Sequence, residues 1–514
     1  MLIEAILAVT FLAAVVVLVA PDRWAPKLAL AGSLLPLLGS LWMYWQFEYG
    51  SAGVSGNALL DGALAFETDA VWLSAGGYEL RWLVGVDGLS LPLVVLTGLL
   101  TPLAILAAWT PIDERKSQFY GLVLFIEAAL LGVFVALDFF AWFVFWEAVL
   151  IPMYFLIAIW GGPRRKYAAV KFLVYTNVAS LVMFGAFMAL VFGLGGEVSS
   201  FALPEIAQAL QSAEPTLAGI DAGTLKLVAF VAMFAGFGVK VPIVPFHTWL
   251  PDAHVEAPTP ASVILAGVLL KMGTYALLRF NFTMLPDVAA DLAVPIAAIA
   301  VISVIYGAML ALAQQDLKRI VAYSSISSMG YVILGLVAYT TYGIGGATFQ
   351  MVSHGLLSGL MFMTVGVVYN VTHTRMVGDL SGIADRMPVT AGVFVAGAFG
   401  YMGLPLMAGF AGEVFVFLGS FGSTTLPNAP LFTAAAMFGI VIVAGYLLFA
   451  MQRALFGEYR VDTEYDAHPA ATHDLVALVI AVLLVVALGV APRIFFQMIQ
   501  EAANPIVALL GGGA

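Results

Sequence analysis

The sequence predicts an all-α, polytopic membrane protein: one transmembrane domain over residues 1–514 with about 14 membrane-spanning helices. Three observations predict it. First, 62% of the residues are hydrophobic and only 10% charged, with a mean hydropathy of +1.03, whereas soluble domains carry about 25% charged residues. Second, the apolar residues fall in continuous runs of roughly 20, enough to cross about 30 Å of hydrocarbon. The strands of a closed barrel lack such continuity. Third, two of the runs are broken by Pro and Gly beside an ionisable residue, the mark of discontinuous membrane helices.

The runs begin near Leu2, Leu28, Leu89, Gln118, Ala141, Tyr167 and Leu225, then near Pro260, Leu292, Ile320, Gly345, Pro388, Leu431 and Leu475. The first, MLIEAILAVTFLAAVVVLVA, has no basic n-region and carries Glu4, so it reads as a retained helix rather than a cleaved signal. Two hydrophilic stretches, 47–88 and 197–224, hold much of the net charge of −11 and read as solvated loops. Within the second, Phe201, Leu203, Ile206 and Leu210 recur near helical spacing, which predicts a short helix lying flat at the interface.

Numbering the runs in order assigns Arg23, Lys27, Arg115, Lys116, Arg164, Arg165, Lys166, Lys318, Arg319, Arg375, Arg386, Arg453 and Arg460 to one side. The other holds only Arg81, Lys226, Arg279 and Arg493. The bias makes the first side cytoplasmic and puts both termini opposite.

The seventh run contains GVKVPIVPFH, with Pro242 and Pro245, and the twelfth GYMGLPLMAGFAGE, with Gly403, Pro405, Gly409 and Gly412. Breaks in corresponding halves predict two inverted five-helix repeats, roughly 118–280 and 292–455, around a transport site. The alternative is a pair of packing kinks.

Glu147, Lys240, Lys271 and Glu413 lie inside these apolar runs. Each such charge costs several kcal/mol, roughly, unless it finds a partner or a wet cavity, and is by default a functional residue. Proton or ion movement is the chemistry they suggest. Lys271 sits about 15 Å from either end of its run, too deep to snorkel comfortably. For Glu147 and Lys240 a static buried pair fixing helix register is the alternative.

His354, inside the eleventh run, is a candidate proton relay. His247, beside Trp249 at the end of the seventh break, fits a structural role or a proton entrance equally. His254, His373, His468 and His473 read as solvated loop residues. Glu127 and Asp138 are candidates for an entrance or for pairing with an adjacent subunit, and Lys171 is close enough to an edge to snorkel. With no cysteine, disulfides, thiolate-bound zinc and cysteine-ligated iron–sulfur clusters are excluded. There is no GxxxxGK[ST] loop, and no basic patch that suggests nucleic acid.

Several segments carry a specific resemblance: FFAWFVFWEAVLIPMYFLI (139–157), GFGVKVPIVPFHTWLPDAHVEAPTPASVILAGVLLKMGTYALLRF (236–280), QQDLKRIVAYSSISSMGYVILG (314–335), MVSHGLLSGLMF (351–362), HTR (373–375) and MGLPLMAGFAGE (402–413). In this order they closely resemble the antiporter-like subunits of respiratory complex I, the proton-pumping NADH:quinone oxidoreductase, a pattern shared with multisubunit sodium/proton antiporters. Relatives usually carry lysine in the twelfth span, whereas the chain-M type (chain 4 in mitochondria) carries glutamate, as Glu413 does here. The chain also ends soon after its fourteenth run, without the long lateral helix expected of a chain-L type.

The resemblance implies a proton relay through Glu147, Lys240, Lys271 and Glu413, with His354 on the path, driven by quinone reduction in other subunits. It implies no cofactor in this chain, and FMN, iron–sulfur clusters and quinone in partner subunits. The implied partners are the other complex I membrane subunits, above all the two other antiporter-like ones, together with membrane lipids, in a bacterial inner membrane. Ser328 stands where some relatives carry histidine. A serine orders water but holds no net proton near neutral pH, so the link from Lys271 to Glu413 would rely on water supported by Tyr323, Ser324, Ser325, Ser327, Ser328 and His354. A sodium/proton antiporter subunit and a structural membrane scaffold are the rival readings.

Overall fold

The computed structural model describes residues 1–511. Helices form where the apolar runs predict them, and twelve of those described are long and apolar enough to cross a membrane. The third run forms the 17-residue helix Leu91–Ala107, and the twelfth forms the pair Pro388–Tyr401 and Ala408–Phe421.

Burial sorts these helices into a core and a rim. Thr259–Thr283, Leu317–Val337 and Thr341–Thr372 are almost wholly enclosed, while Leu2–Val19, Ala25–Glu48 and Thr472–Val490 are two-thirds uncovered and present side chains such as Leu12, Leu38, Trp42 and Leu483 outward. Apolarity alone does not separate the two classes, because lipid is as apolar as a protein interior. Small residues set where backbones approach most closely. A Cβ on Gly355 would stand 2.7 Å from the carbonyl oxygen of Gly267, and one on Gly273 would stand 3.0 Å from the amide nitrogen of Val241. These two contacts lay the eighth span against both the His354 helix and the break of the seventh.

The loops gather on two faces. On one, Glu114 accepts from the Trp160 indole, Glu256 O from Gly162 N, and Arg375 pairs with Asp316 at 2.7 Å. On the other, Glu79 N donates to Ser199 O, Asn57 Nδ2 to Ala502 O, and Thr341 Oγ1 to Asn504. Of the basic residues that the sequence assigns to one side, Arg164, Lys318 and Arg375 share the first of these faces. Met1 and the Arg493–Ala508 helix lie on the other.

The stretch 47–88 is more than the solvated loop expected. Ala65–Ala75 (β1) pairs antiparallel with Tyr78–Val86 (β2) around Gly76 and Gly77, whose φ values of +63° and +88° suit a tight hairpin turn. The hairpin bonds to Ser199 and, through Leu83 O, to Leu137 N. The expected short helix forms over Leu203–Ser212 with Leu203, Ile206 and Leu210 buried. Arg493–Ala508, which the sequence reading did not anticipate, is an amphipathic helix burying Phe495, Phe496, Met498 and Ile499.

Both expected breaks are present. Ala222–Lys240 stops before Pro242, and helix resumes at Trp249–Glu256. Prolines donate no backbone hydrogen bond, so side chains stabilise the gap: Ser303 Oγ accepts from Val244 N, and the Trp249 indole donates to Val239 O. The eighth span departs from expectation. Instead of a uniform α-helix, it contains wide π-helical turns at Leu265–Leu269 and Leu277–Thr283 on either side of Lys271. Such turns loosen the regular backbone ladder and recur at functional sites.

Candidate functional site

Lys240 ends the first half of the broken seventh span, where its charge complements the last carbonyls of the helix. Its side chain is fully enclosed. Nζ lies 3.9 Å above the Trp146 ring centroid and donates to Trp146 O at 3.4 Å. A desolvated cation–π contact of this kind contributes about 2 kcal/mol. Trp146 is itself fixed by donating Nε1–H to Ser180 Oγ at 2.9 Å. The expected Glu147–Lys240 pair is not closed: no carboxylate oxygen lies within 4.0 Å of Lys240 among the described residues. Glu147 is half-buried, takes a long 3.4 Å bond from Asn177, and keeps Oε1 enclosed without a partner.

Lys271 and His354 meet directly. Lys271 Nζ is 2.6 Å from His354 Nδ1 and 2.5 Å from Ala266 O, a carbonyl in the first π-helical turn. Both side chains are fully buried. Because one nitrogen of this contact must accept, an ammonium donor requires an unprotonated Nδ1. His354 Nε2 has no partner among the described residues, and its ring stands edge-on to Tyr401 at 5.8 Å.

Glu413 is buried in the Ala408–Phe421 helix, and its Oε2 is enclosed without a partner among the described residues. Buried polar groups adjoin both Glu413 and His354, with Gln350 beside Gly412 and Tyr401 beside His354. Ser353 Oγ, Gln350 Oε1 and Tyr401 OH are likewise unsatisfied, and Ser324 Oγ lies 2.6 Å from Tyr446 OH. Tyr331 and Tyr446 are close enough to Glu413 to feel its charge. The sequence reading missed these tyrosines and Gln350, since uncharged polar residues in an apolar run carry no signal of their own.

Gly403 closes the twelfth-span break against Glu413. Its φ is +64°, and an added Cβ would overlap Glu413 Oε2. Gly403→Ala is therefore expected to cost about 1–2 kcal/mol in backbone strain alone and to displace the carboxyl. A native gel combined with proton-uptake measurement checks it: reduced uptake in a complex that still assembles is the expected result.

The supporting candidates separate. Ser324 and Ser325 bond back to Ile320 O and Val321 O, Ser327 to Val304 O, and Ser328 is buried on the same helix. Tyr323 is half-buried and lies within reach of the charges of Arg319 and Asp252. His247 lies edge-on to Tyr306 with Nδ1 enclosed and unpartnered. Asp138 is a helix N-cap, accepting from Phe140 N at 2.9 Å and from Arg81 N at 3.0 Å, which accounts for it structurally. Glu127 is fully buried with both oxygens unpartnered, beside Thr101, so it has no surface to offer an adjacent subunit.

Lys171 does not simply snorkel. It bonds Asp252 and Thr248 O, each at 2.8 Å, and Arg319 joins Asp252 at 3.6 Å. His373 and His468 are exposed. His254, expected in solvent, is instead buried on the Trp249–Glu256 helix against Phe362, because that polar-looking segment folds back into the bundle as the second half of the seventh span. His473 belongs to the last long helix and contacts Thr110 at 2.8 Å.

Residues 136–442 match the family described as NADH:quinone oxidoreductase/Mrp antiporter, transmembrane. Among curated relatives, NAD(P)H-quinone oxidoreductase chain 4 1 of Nostoc sp. is 39% identical over 98% of this chain and 91% of its own length. F(420)H(2) dehydrogenase subunit M of Methanosarcina mazei is 38% identical over 94% of this chain and 92% of its own. A chain of respiratory complex I from Thermus thermophilus superposes with a TM-score of 0.85 at 28% identity, covering 100% of both chains. A chain of the Mrp complex from Dietzia sp. shares the fold, with a TM-score of 0.81 at 19% identity over 99% of each. With matches of this extent in family pattern, sequence and fold, the chain belongs to the NADH:quinone oxidoreductase/Mrp antiporter membrane family.

Proposed function

We propose that this chain is a proton-translocating membrane subunit, of the chain-M (chain 4) type, in a respiratory NADH:quinone oxidoreductase. The observation that carries the reading is the Lys271–His354 contact, two proton-binding groups sharing one buried hydrogen bond at 2.6 Å within a row of intramembrane charges. The names borne by the relatives support the assembly. NADH oxidation, with FMN and iron–sulfur clusters, and quinone reduction take place in partner subunits. The two other antiporter-like subunits are the expected neighbours in a bacterial inner membrane, the basic face lies toward the cytoplasm, and residues 118–280 and 292–455 form the inverted repeats.

In this mechanism Glu147 is the movable partner of Lys240. Swung toward the ammonium, a carboxylate stabilises it; swung away, it leaves Lys240 with only the Trp146 ring and carbonyl, and burial then favours the neutral amine. The released proton passes to the Lys271–His354 unit and, through water ordered by Tyr401, Ser324 and Tyr446, to Glu413. Each transfer leaves a neutral or singly charged site, so no second buried charge accumulates.

NADH-driven proton uptake into inverted vesicles carrying Lys240→Ala tests the reading, with incorporation followed on a native gel and quinone reduction in parallel. Lost uptake in an assembled complex is expected. Unchanged uptake per electron would reduce Lys240 to a structural cation. The family description also names an Mrp antiporter, which makes sodium/proton exchange the second reading, and sodium-dependent uptake in the same vesicles would select it.

A further inference from the structure

On the basic face a cavity of about 220 Å³ opens among the fifth, eighth and eleventh spans, with Glu256, Thr259, Lys318, Asn370 and Arg375 in its wall. The relay proposed above uses none of these groups. Lys318 is buried, donates to Ala257 O, and has no carboxylate within 4.0 Å among the described residues. Glu256, across the cavity, accepts from Arg164 N at 2.8 Å.

One helical turn inward from the wall residue Gly366, Phe362 stacks on His254 with ring centroids 4.4 Å apart and planes 18° apart. His254 is completely buried, and neither of its ring nitrogens has a hydrogen-bond partner among the described residues. A buried polar group left unpaired costs about 1–3 kcal/mol. A phenylalanine would fill this position without that cost.

The imidazole also stands in line with the relay. The charges of Lys318 and of Lys271 both reach it. From Phe362 to His354 is eight residues, about 12 Å of helix at 1.5 Å per residue. Lys271 shortens that gap, because its side chain folds back five residues toward the basic face to reach Ala266 O.

We propose that this cavity is the mouth through which protons reach the relay from the basic face, and that His254 is the group that carries them inward to Lys271 and His354. One ring nitrogen of His254 takes a proton from water held between Glu256 and Lys318. The other gives up its proton toward Lys271, leaving the opposite neutral tautomer, and rotation of the ring restores the first. The buried Lys318 ammonium makes a standing imidazolium unfavourable, so the charge passes on rather than resting.

This inference rests on the relay reading, and the test separates the two. In the intact complex in inverted vesicles, His254→Gln and His254→Phe are both expected to lower proton uptake per electron about fivefold or more. Phenylalanine keeps the stacking on Phe362, so a purely structural histidine would be rescued by it. Normal uptake in either variant overturns the inference, provided Lys271→Ala abolishes uptake. If Lys271→Ala pumps normally, the relay reading itself falls and this inference falls with it. Because the chain has no cysteine, Thr259→Cys adds an independent measurement. A membrane-impermeant charged thiosulfonate added outside the vesicles should label it and lower uptake relative to the same preparation before labelling. The complex with the unmodified chain controls for thiols elsewhere. Absent labelling, or labelling without loss of uptake, also overturns the proposal.

Discussion

Lys271→Ala is expected to cut NADH-driven proton uptake about tenfold or more, the change produced by each 1.4 kcal/mol added to the limiting barrier. The substitution removes the donor to both His354 Nδ1 and Ala266 O. Each buried acceptor then lacks a partner, at about 1–3 kcal/mol apiece, and the row of proton-binding groups between Lys240 and Glu413 loses its middle. Lys271→Arg distinguishes a proton carrier from a structural cation. A guanidinium keeps the charge and can donate to Ala266 O, but it does not release a proton in proteins. If the ammonium serves only to hold the eighth span in place, arginine should restore uptake. If it carries protons, arginine should fail as fully as alanine. His354→Gln should be milder, and the double variant Lys271→Ala, His354→Gln no worse than Lys271→Ala alone, because groups acting as one unit are not additive. Uptake traces with quinone reduction measured in parallel decide among these outcomes.

Much of this site is legible in the sequence because the membrane makes it so. A lysine in an apolar run is conspicuous where the same lysine on a soluble helix is not, and Pro242, Pro245 and Gly403 mark the breaks by their backbone chemistry alone. What stays hidden is which groups touch. Lys271 and His354 are 83 residues apart, and no helical period relates them. The glycines that bring their helices together, Gly267 and Gly355, look like any others in the chain. The closed Glu147–Lys240 pair was the natural expectation from charge complementarity, but the neighbouring Trp146 offers its ring and carbonyl to the same ammonium. His254 was misread for a different reason. HTWLPDAHVEAP holds two prolines and several polar residues and reads as a loop, yet Trp249, Leu250 and Ala253 pin it inside the bundle. Arg493–Ala508 escaped notice because its apolar residues cover one face only and never make a run long enough to cross a bilayer.

The largest effect on stability is expected from Asp87→Ala. Arg279 reads from the sequence as one of the few cations of the sparsely charged face, but it is 1% exposed and sits in the second π-helical turn of the eighth span, with Nη2 2.6 Å from Asp87 Oδ1. Its guanidinium also stands 5.1 Å from the centroid of Tyr275. Asp87 further accepts from the backbone nitrogens of Ala58, Leu89 and Ser90 at 3.0–3.1 Å, so it ties the Ala58 segment and its own turn to that span. Deleting one partner of such a pair leaves an uncompensated buried charge, at about 3–5 kcal/mol. Asp87→Ala should therefore lower the melting temperature of the purified complex and the amount assembled on a native gel. Arg279→Met should be milder, because the remaining carboxylate keeps its three amide donors while the stranded guanidinium keeps only an aromatic face and a long 3.5 Å bond to Asn57 Oδ1. Combining the two should recover part of the loss. The same comparison reports on the relay: Arg279 is eight residues from Lys271 on one helix, so if the pair fixes the register of that helix, Arg279→Met should slow proton uptake more than it lowers the melting temperature. Equal losses in both would make the pair a clamp on the fold alone.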